Sequence, residues 1–451
     1  MGSSAYTLIT RDTYDQLLAH AAVESDFVYL GSVGDGESRG THTAFSALAS
    51  NYLRLLPDSE RPLDPVTIAT TLEDALVPYR QRNDSAQPFL TGGWIGFISY
   101  EFGYDIEQRL RSLRRDMPLP LLNAGLYLWM VSHNRSTGDH YLWVHPDCDG
   151  STREKLDQWL AEPTSETPLP WQMRSPFRAR QSPADFKASV ERVRAYIEAG
   201  DCYQANLSQE FSATCAGDAW GAFKALSDAN PTGHSAFIRA GGQSVLSVSP
   251  ERFLQIREGT VATSPIKGTR KRGNTPQEDT RLANELMASE KDRAENLMIV
   301  DLLRNDLSKN AIDGSVKVDQ LFKLESYRNV HHLVSHIRCE LAAGVSPMKA
   351  LLDAFPGGSI TGAPKIRAME IIRELEPHHR GPYCGSVFFR GLDDSLESNI
   401  AIRTLFCDGQ GQIHCCGGGG VVSDSDPESE YQETLTKVRP LMDFLEKLNQ
   451  A

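Results

Sequence analysis

The apolar runs of this chain do not alternate regularly with its helical stretches, and that irregularity restricts the fold more than any other feature. Strand-like runs occur at 27–30, 92–97, 141–144, 244–248, 253–257, 384–390, 398–406 and 412–416. Helical patterns are fewer. One opens at Ser182-Pro183, a capping residue followed by proline, with Phe186, Val190, Val193 and Ile197 on one face. A second runs from Gln277 to Ser308, with Ser289 and Asp292 placed to cap a new turn, and a last one from Asp426-Pro427 to about Leu448. A doubly wound sheet needs strand and helix in strict alternation, so the pattern predicts an α+β protein. Residues 162–182, rich in Pro and Ser and without periodicity, read as a linker between an N-terminal lobe (1–161) and a larger C-terminal lobe (183–451).

The bulk composition removes several classes of function. A net charge of −13 argues against nucleic acid as a partner, because phosphate binding needs basic surface. No run approaches the ~18 apolar residues of a membrane helix, and the first residues lack the basic start and apolar core of a secretory signal. The eight cysteines are scattered, with no Cys-x-x-Cys pair, and read as reduced thiols. A cytosolic protein without zinc or disulfides is the expectation.

Three constellations carry chemistry. Lys267 lies in Ser264-Pro265-Ile266-Lys267-Gly268-Thr269-Arg270-Lys271-Arg272. A lysine becomes a nucleophile when burial or nearby cations lower its pKa, and this segment offers both, although a solvated basic turn has the same composition. Asp292 with Glu295, and Glu430 with Glu433, are two pairs spaced three apart on two predicted helices. Such faces suit Mg²⁺, which takes few carboxylates and keeps waters for its substrate; two solvated acidic faces look alike in sequence. Gly417 to Gly420 follow the apolar run at 412–416 and read as a turn, either mobile or with N–H groups converging on an anion.

Taken with further blocks, these residues carry a family resemblance. The blocks are Ser249-Pro250-Glu251-Arg252-Phe253, Ala294-Glu295-Asn296-Leu297-Met298, Asp301 to Leu307, His332-Leu333-Val334-Ser335, Pro356 to Lys365, Ile402-Arg403 and Gly418 to Glu433. In this order the chain resembles the chorismate-utilising enzymes, strongly over 183–440 and more loosely in the N-terminal lobe through Gly92 to Glu101. The resemblance implies a two-lobed fold in which antiparallel β-sheets pack as a sandwich with helices outside. It implies Mg²⁺ on Glu295 and Glu433, with Asp292 and Glu430 nearby or acting through water. Gly418, Gly419, Gly420 and Lys437 would bind a carboxylate, Tyr383 and Arg403 the enolpyruvyl group, and Gly268, Thr269 and Thr361 would also line the substrate. Glu251 matches the family's general acid and His332 its histidine near the substrate ring.

Two positions choose among the family's reactions. Branches that aminate carbon 2 directly, the anthranilate synthases, carry a small residue where this chain has Lys267; a lysine there implies covalent attack on carbon 2 and amination at carbon 4. The water-adding branches carry a lysine where this chain has Gln204. Both positions imply amination of chorismate at carbon 4, giving 4-amino-4-deoxychorismate for 4-aminobenzoate and folate synthesis. No Gly-x-Cys-x-Gly glutaminase turn is present. Ammonia is therefore expected from a separate glutamine amidotransferase subunit. The family's N-terminal lobe can hold tryptophan, which these residues do not locate. Anthranilate synthase chemistry, a non-catalytic chorismate-binding subunit and a Schiff-base lysine enzyme are the alternatives.

Overall fold

The computed structural model describes residues 5–32, 40–58, 63–80, 87–113, 119–164, 166–327 and 330–448. Two large sheets, of thirteen and ten strands, form its body. The elements that build the site are, in chain order, strands β1 (Val28–Leu30), β2 (Gly93–Ile98), β3 (Gln204–Ala216), β4 (His234–Ala240), β5 (Ile266–Lys271), β6 (Val330–Glu340), β7 (Ser386–Gly391) and β8 (Gln412–Val421). The helices are α1 (Pro65–Leu76), α2 (Pro183–Glu198), α3 (Pro276–Ala288), α4 (Glu290–Ser308), α5 (Lys365–Leu375) and α6 (Pro427–Lys447).

Period-two alternation explains how the larger sheet is covered on both faces. Ala236, Ile238, Val245, Phe406 and Cys416 join one core, shared with Trp94, Phe97, Phe253 and Phe388 of the smaller sheet. Their neighbours Phe237, Leu246, Leu405 and Cys415 point the other way, into a core closed by Phe223, Leu435, Val438 and Leu441 from helices. This is a sandwich with helices outside, as expected of an α+β chain. Strand pairing is antiparallel throughout the region of the site.

The linker region does not divide the sheets. β1 pairs with β4 in the larger sheet, and β2 pairs with β7 in the smaller. Residues 172–173 and 178–179 inside the linker form short strands on β3. Across the same seam, Glu73 of α1 accepts from Arg390 of β7 at 2.8 Å, and from the N–H of Met348.

Local capping signals are realised as the sequence suggests. The Ser182 hydroxyl accepts from Asp185 N–H and the Asp185 carboxylate from Ser182 N–H, a reciprocal cap on α2. The predicted helix from 277 to 308 is two helices, broken at Ser289, whose hydroxyl accepts from Asp292 N–H. The predicted strand at 398–406 is also two pieces, Leu396–Asn399 and Thr404–Cys407. Arg403 lies in the gap at φ +49, a left-handed conformation that a strand cannot continue through.

Candidate active site

Lys267 is aimed by a defect in its strand. β5 pairs with β6 so that Thr269 faces His332, and the register slips between Ile266 and Thr269. Gly268 sits in that slip at φ +80. A Cβ there would come within 3.0 Å of Asp292 on α4 and 2.9 Å of Leu286 on α3, so only glycine lets these helices close onto the strand. Lys267 emerges from the bulge with its Nζ donating to Glu295 Oε1 at 2.8 Å.

The positive field read from the sequence is not there. Arg270 turns to Glu285 at 3.1 Å and Asp292 at 3.2 Å, and Arg272 to Asp279 at 2.7 Å. Burial pushes the Lys267 amine down, but Glu295, then Glu251 and Glu433, outweigh it and hold its pKa above the usual lysine value. Lys267 is thus a cation paired with Glu295 and held charged also by Glu251 and Glu433.

Gly417 to Gly420 form no turn. They belong to β8, with Gly418 facing Ser208, Gly419 facing Leu207 and Gly420 facing Asn206 of β3. Their lack of side chains brings carboxylates onto the backbone. A Cβ at Gly419 would lie 3.2 Å from Glu433 Oε1 and 3.3 Å from Glu430 Oε2; at Gly420 it would lie 3.2 Å from Glu295 Oε1 and collide with Gln204 Nε2 at 2.1 Å. The Gln204 amide oxygen has no partner among the described residues.

The four predicted metal residues divide. Glu295, Glu430 and Glu433 gather along the glycine strand, whereas Asp292 is taken by Arg270 and packs on Gly268. Glu430 accepts from Ser425 Oγ at 2.6 Å, and burial raises its pKa, with Glu433 adding to the effect. Burial opposes ionisation of Glu433, but Lys437 and Lys267 hold its pKa below the ordinary value. Lys437 makes the helical pair with Glu433 at 2.7 Å and also donates to the Gly418 carbonyl at 2.9 Å. Among the described residues no three His, Cys, Asp or Glu side chains enclose a ready cation cage. Two glutamates beside an open strand are the sparser donor set that Mg²⁺ takes when water and substrate complete its shell.

Glu251 is also within electrostatic reach of Lys267. Burial raises its pKa, Lys267 lowers it in part, and Ser359 Oγ donates to its Oε1 at 2.9 Å. Ser359 belongs to a Gly358–Ile360 turn, and the next residue, Thr361, is fully buried with its hydroxyl donating to Gly357 O at 3.1 Å. His332 Nδ1 and Thr269 Oγ1 are 2.9 Å apart, and the imidazole lies 5.4 Å from the Tyr327 ring. Tyr383 is buried beside Cys384 and Arg380, and burial drives its phenol pKa well up. Arg403 has its pKa lowered by burial and no carboxylate partner among the described residues, a state in which a guanidinium is suited to a carboxylate. Ser359, Ser425, Glu376 and Arg380 were not singled out by the sequence. Ser359 lies inside the Pro356–Lys365 block, which marked the segment without marking the residue.

A lysine among glutamates, set where a glycine strand meets two acidic helices, makes this the candidate active site of the chain. The family model for chorismate binding enzymes matches residues 27–443, and the chain belongs to that family. Aminodeoxychorismate synthase component 1 of Salmonella typhimurium is 43% identical over 385 residues, covering 85% of this chain and 83% of that protein. The protein of the same name from Escherichia coli is 42% identical, covering 84% of each chain. Anthranilate synthase component 1 of Bacillus caldotenax is 33% identical over 97% of this chain and 92% of its own. Among solved structures, anthranilate synthase component I from Streptococcus pneumoniae superposes with a TM-score of 0.75 at 26% identity, covering 90% of this chain and 93% of that one.

Proposed function

We propose that this chain is the chorismate-aminating component of an aminodeoxychorismate synthase, forming 4-amino-4-deoxychorismate. The observation that carries the reading is Lys267 itself, held 2.8 Å from Glu295 with Glu251 and Glu433 also acting on its charge. Attack requires the free amine, and Glu295 is the carboxylate in reach of its proton. Nζ then bonds to carbon 2 of chorismate, both ring double bonds shift by one position, and the carbon 4 C–O bond breaks. Glu251, whose acid form is favoured by burial, donates to the departing hydroxyl, which leaves as water. Ammonia adds at carbon 4 and gives up a proton, both ring double bonds shift back, and the lysine is expelled as the protonated amine, so one substitution through the diene becomes two similar steps.

Glu295 and Glu433 fit Mg²⁺, with Glu430 in reach through water and Asp292 left to orient Arg270. When bound, the ion supplies charge neutralisation for the substrate's ring carboxylate. Gly418 to Gly420 and Lys437 lie beside that position, while Arg403 and Tyr383 suit the enolpyruvyl carboxylate. The relatives' names number them as component 1, and a separate glutamine amidotransferase supplying ammonia agrees with this chain's lack of a glutaminase turn. No helix among the described residues is long and apolar enough to cross a membrane, and a cytosolic location agrees with that.

The test is mass spectrometry of products from the purified chain, chorismate, Mg²⁺ and ammonium at mildly alkaline pH. A product that keeps the enolpyruvyl group and yields 4-aminobenzoate with added lyase is expected. Anthranilate with pyruvate would overturn the reading.

A further inference from the structure

Beneath the site lies a buried ion pair to which the reaction above gives no role. Arg380 and Glu376 are both buried, and the guanidinium grips the carboxylate with two bonds, Nε to Oε2 at 2.9 Å and Nη2 to Oε1 at 2.7 Å. The same carboxylate accepts from Ser208 N–H at 2.7 Å and Ser208 Oγ at 2.8 Å on β3. The guanidinium has further donors, and they go to backbone: Nη1 to the Ile360 carbonyl at 3.0 Å and Nη2 to the Asn206 carbonyl at 2.5 Å. Its flat face lies 4.4 Å from the Tyr100 ring centre. Its own N–H and that of Gly381 are fixed on Glu101 at 2.7 and 2.9 Å.

Ile360 stands between Ser359, which donates to Glu251, and Thr361, whose carbonyl accepts from Asn206 N–H at 2.8 Å. A buried arginine whose charge is already met by Glu376 is not needed there for neutrality. Its planar fork is suited to something else: holding two carbonyls of different segments at fixed separation. We infer that Arg380 is a positioning residue for the amination step, setting the Ser359–Thr361 segment against β3 so that Ser359 orients the carboxyl group of Glu251. The inference rests on the amination reading for the role of Glu251, but the linkage it asserts runs entirely through this chain's own atoms.

The test is a double-mutant cycle on the purified protein between Arg380→Lys and Ser359→Ala. Lysine keeps the charge opposite Glu376 and loses the fork. R380K should lower kcat about tenfold with the chorismate KM changed less than about threefold, the split of an interaction felt mainly in the transition state. S359A should do the same, and the double variant should be little worse than either, because both remove one linkage. Effects that simply multiply, or an R380K enzyme with wild-type kcat, would overturn the inference. If wild type makes anthranilate, the amination reading falls and the cycle is read on that turnover instead. If wild type shows no turnover, infrared titration of the Glu251 carboxyl, identified by its loss in E251Q, decides: R380K and S359A should both move its midpoint upward, and an unmoved midpoint in R380K sinks the proposal. Should R380K not fold, Glu376→Gln, which loosens the grip on the guanidinium, takes its place in both experiments.

Discussion

In the proposed reaction Lys267 and Glu251 have opposite requirements, since one must lose a proton and the other must keep it. Their surroundings supply both conditions, through a carboxylate 2.8 Å from the amine and the burial of the acid. Lys267→Ala should therefore reduce aminodeoxychorismate formation by at least about a hundredfold, read as product by mass spectrometry, with the fold intact by circular dichroism. Glu251→Gln should cost about 10²–10⁴ in kcat, the usual contribution of a general acid. The pH profile carries a sign. Burial raises the Glu251 pKa, so its acid form survives above the ordinary carboxylate range, and kcat should fall as pH rises through that raised value. In E251Q this limb should disappear; a limb that persists would assign it to another group. At this scale the residue types were legible in sequence but their partners were not. Arg270 and Arg272 are close to Lys267 along the chain, yet the bulge at Gly268 and separate acids on α3 and α4 carry their charges away from it.

β8 is the element that sequence alone misjudged. Four glycines after an apolar run have the local signature of a turn, and nothing nearby in the chain says otherwise. What makes them a strand is pairing with β3, some two hundred residues earlier, a contact that no window of sequence contains. Helix starts fared better because their signals are local: Ser182, Ser289 and Asp426 each accept from an N–H three residues on. The strand also makes a prediction about where function and stability separate. Gly420→Ala places a methyl group against the Gln204 side-chain nitrogen and near Glu295, so catalysis should collapse while melting temperature changes little. Gly417→Ala meets Val438 Cγ1 at 2.5 Å inside a packed core, so stability should fall by about 1–3 kcal/mol, measured by denaturant unfolding. Equal effects of the two on stability would contradict the division.

The whole molecule is knit more tightly than a reading in two lobes conveys. Residues before and after the linker contribute a block of strands to each of the two sheets, joined edge to edge at β1–β4 and at β2–β7, and Arg390, with no exposed side-chain surface, ties β7 to Glu73 of α1. Glu73→Ala leaves that guanidinium with only Asp394 and backbone carbonyls, and should cost about 3 kcal/mol in a single unfolding transition seen by both far-UV circular dichroism and tryptophan fluorescence. A chain beginning at residue 183 lacks the neighbours of β4 and β7, and should not fold by itself; sharp, dispersed amide resonances from it would refute this.

The same weave has a consequence during synthesis. β2 leaves the ribosome roughly 290 residues before β7, its neighbour, and at about 5–20 residues per second that is a wait on the order of 15–60 s. For that interval Trp94 and Phe97, destined for the shared core, belong to a strand with one edge unmet. The nascent first half is thus a sticky intermediate by construction, and its yield in the cell is set by what shelters that edge until translation nears its end.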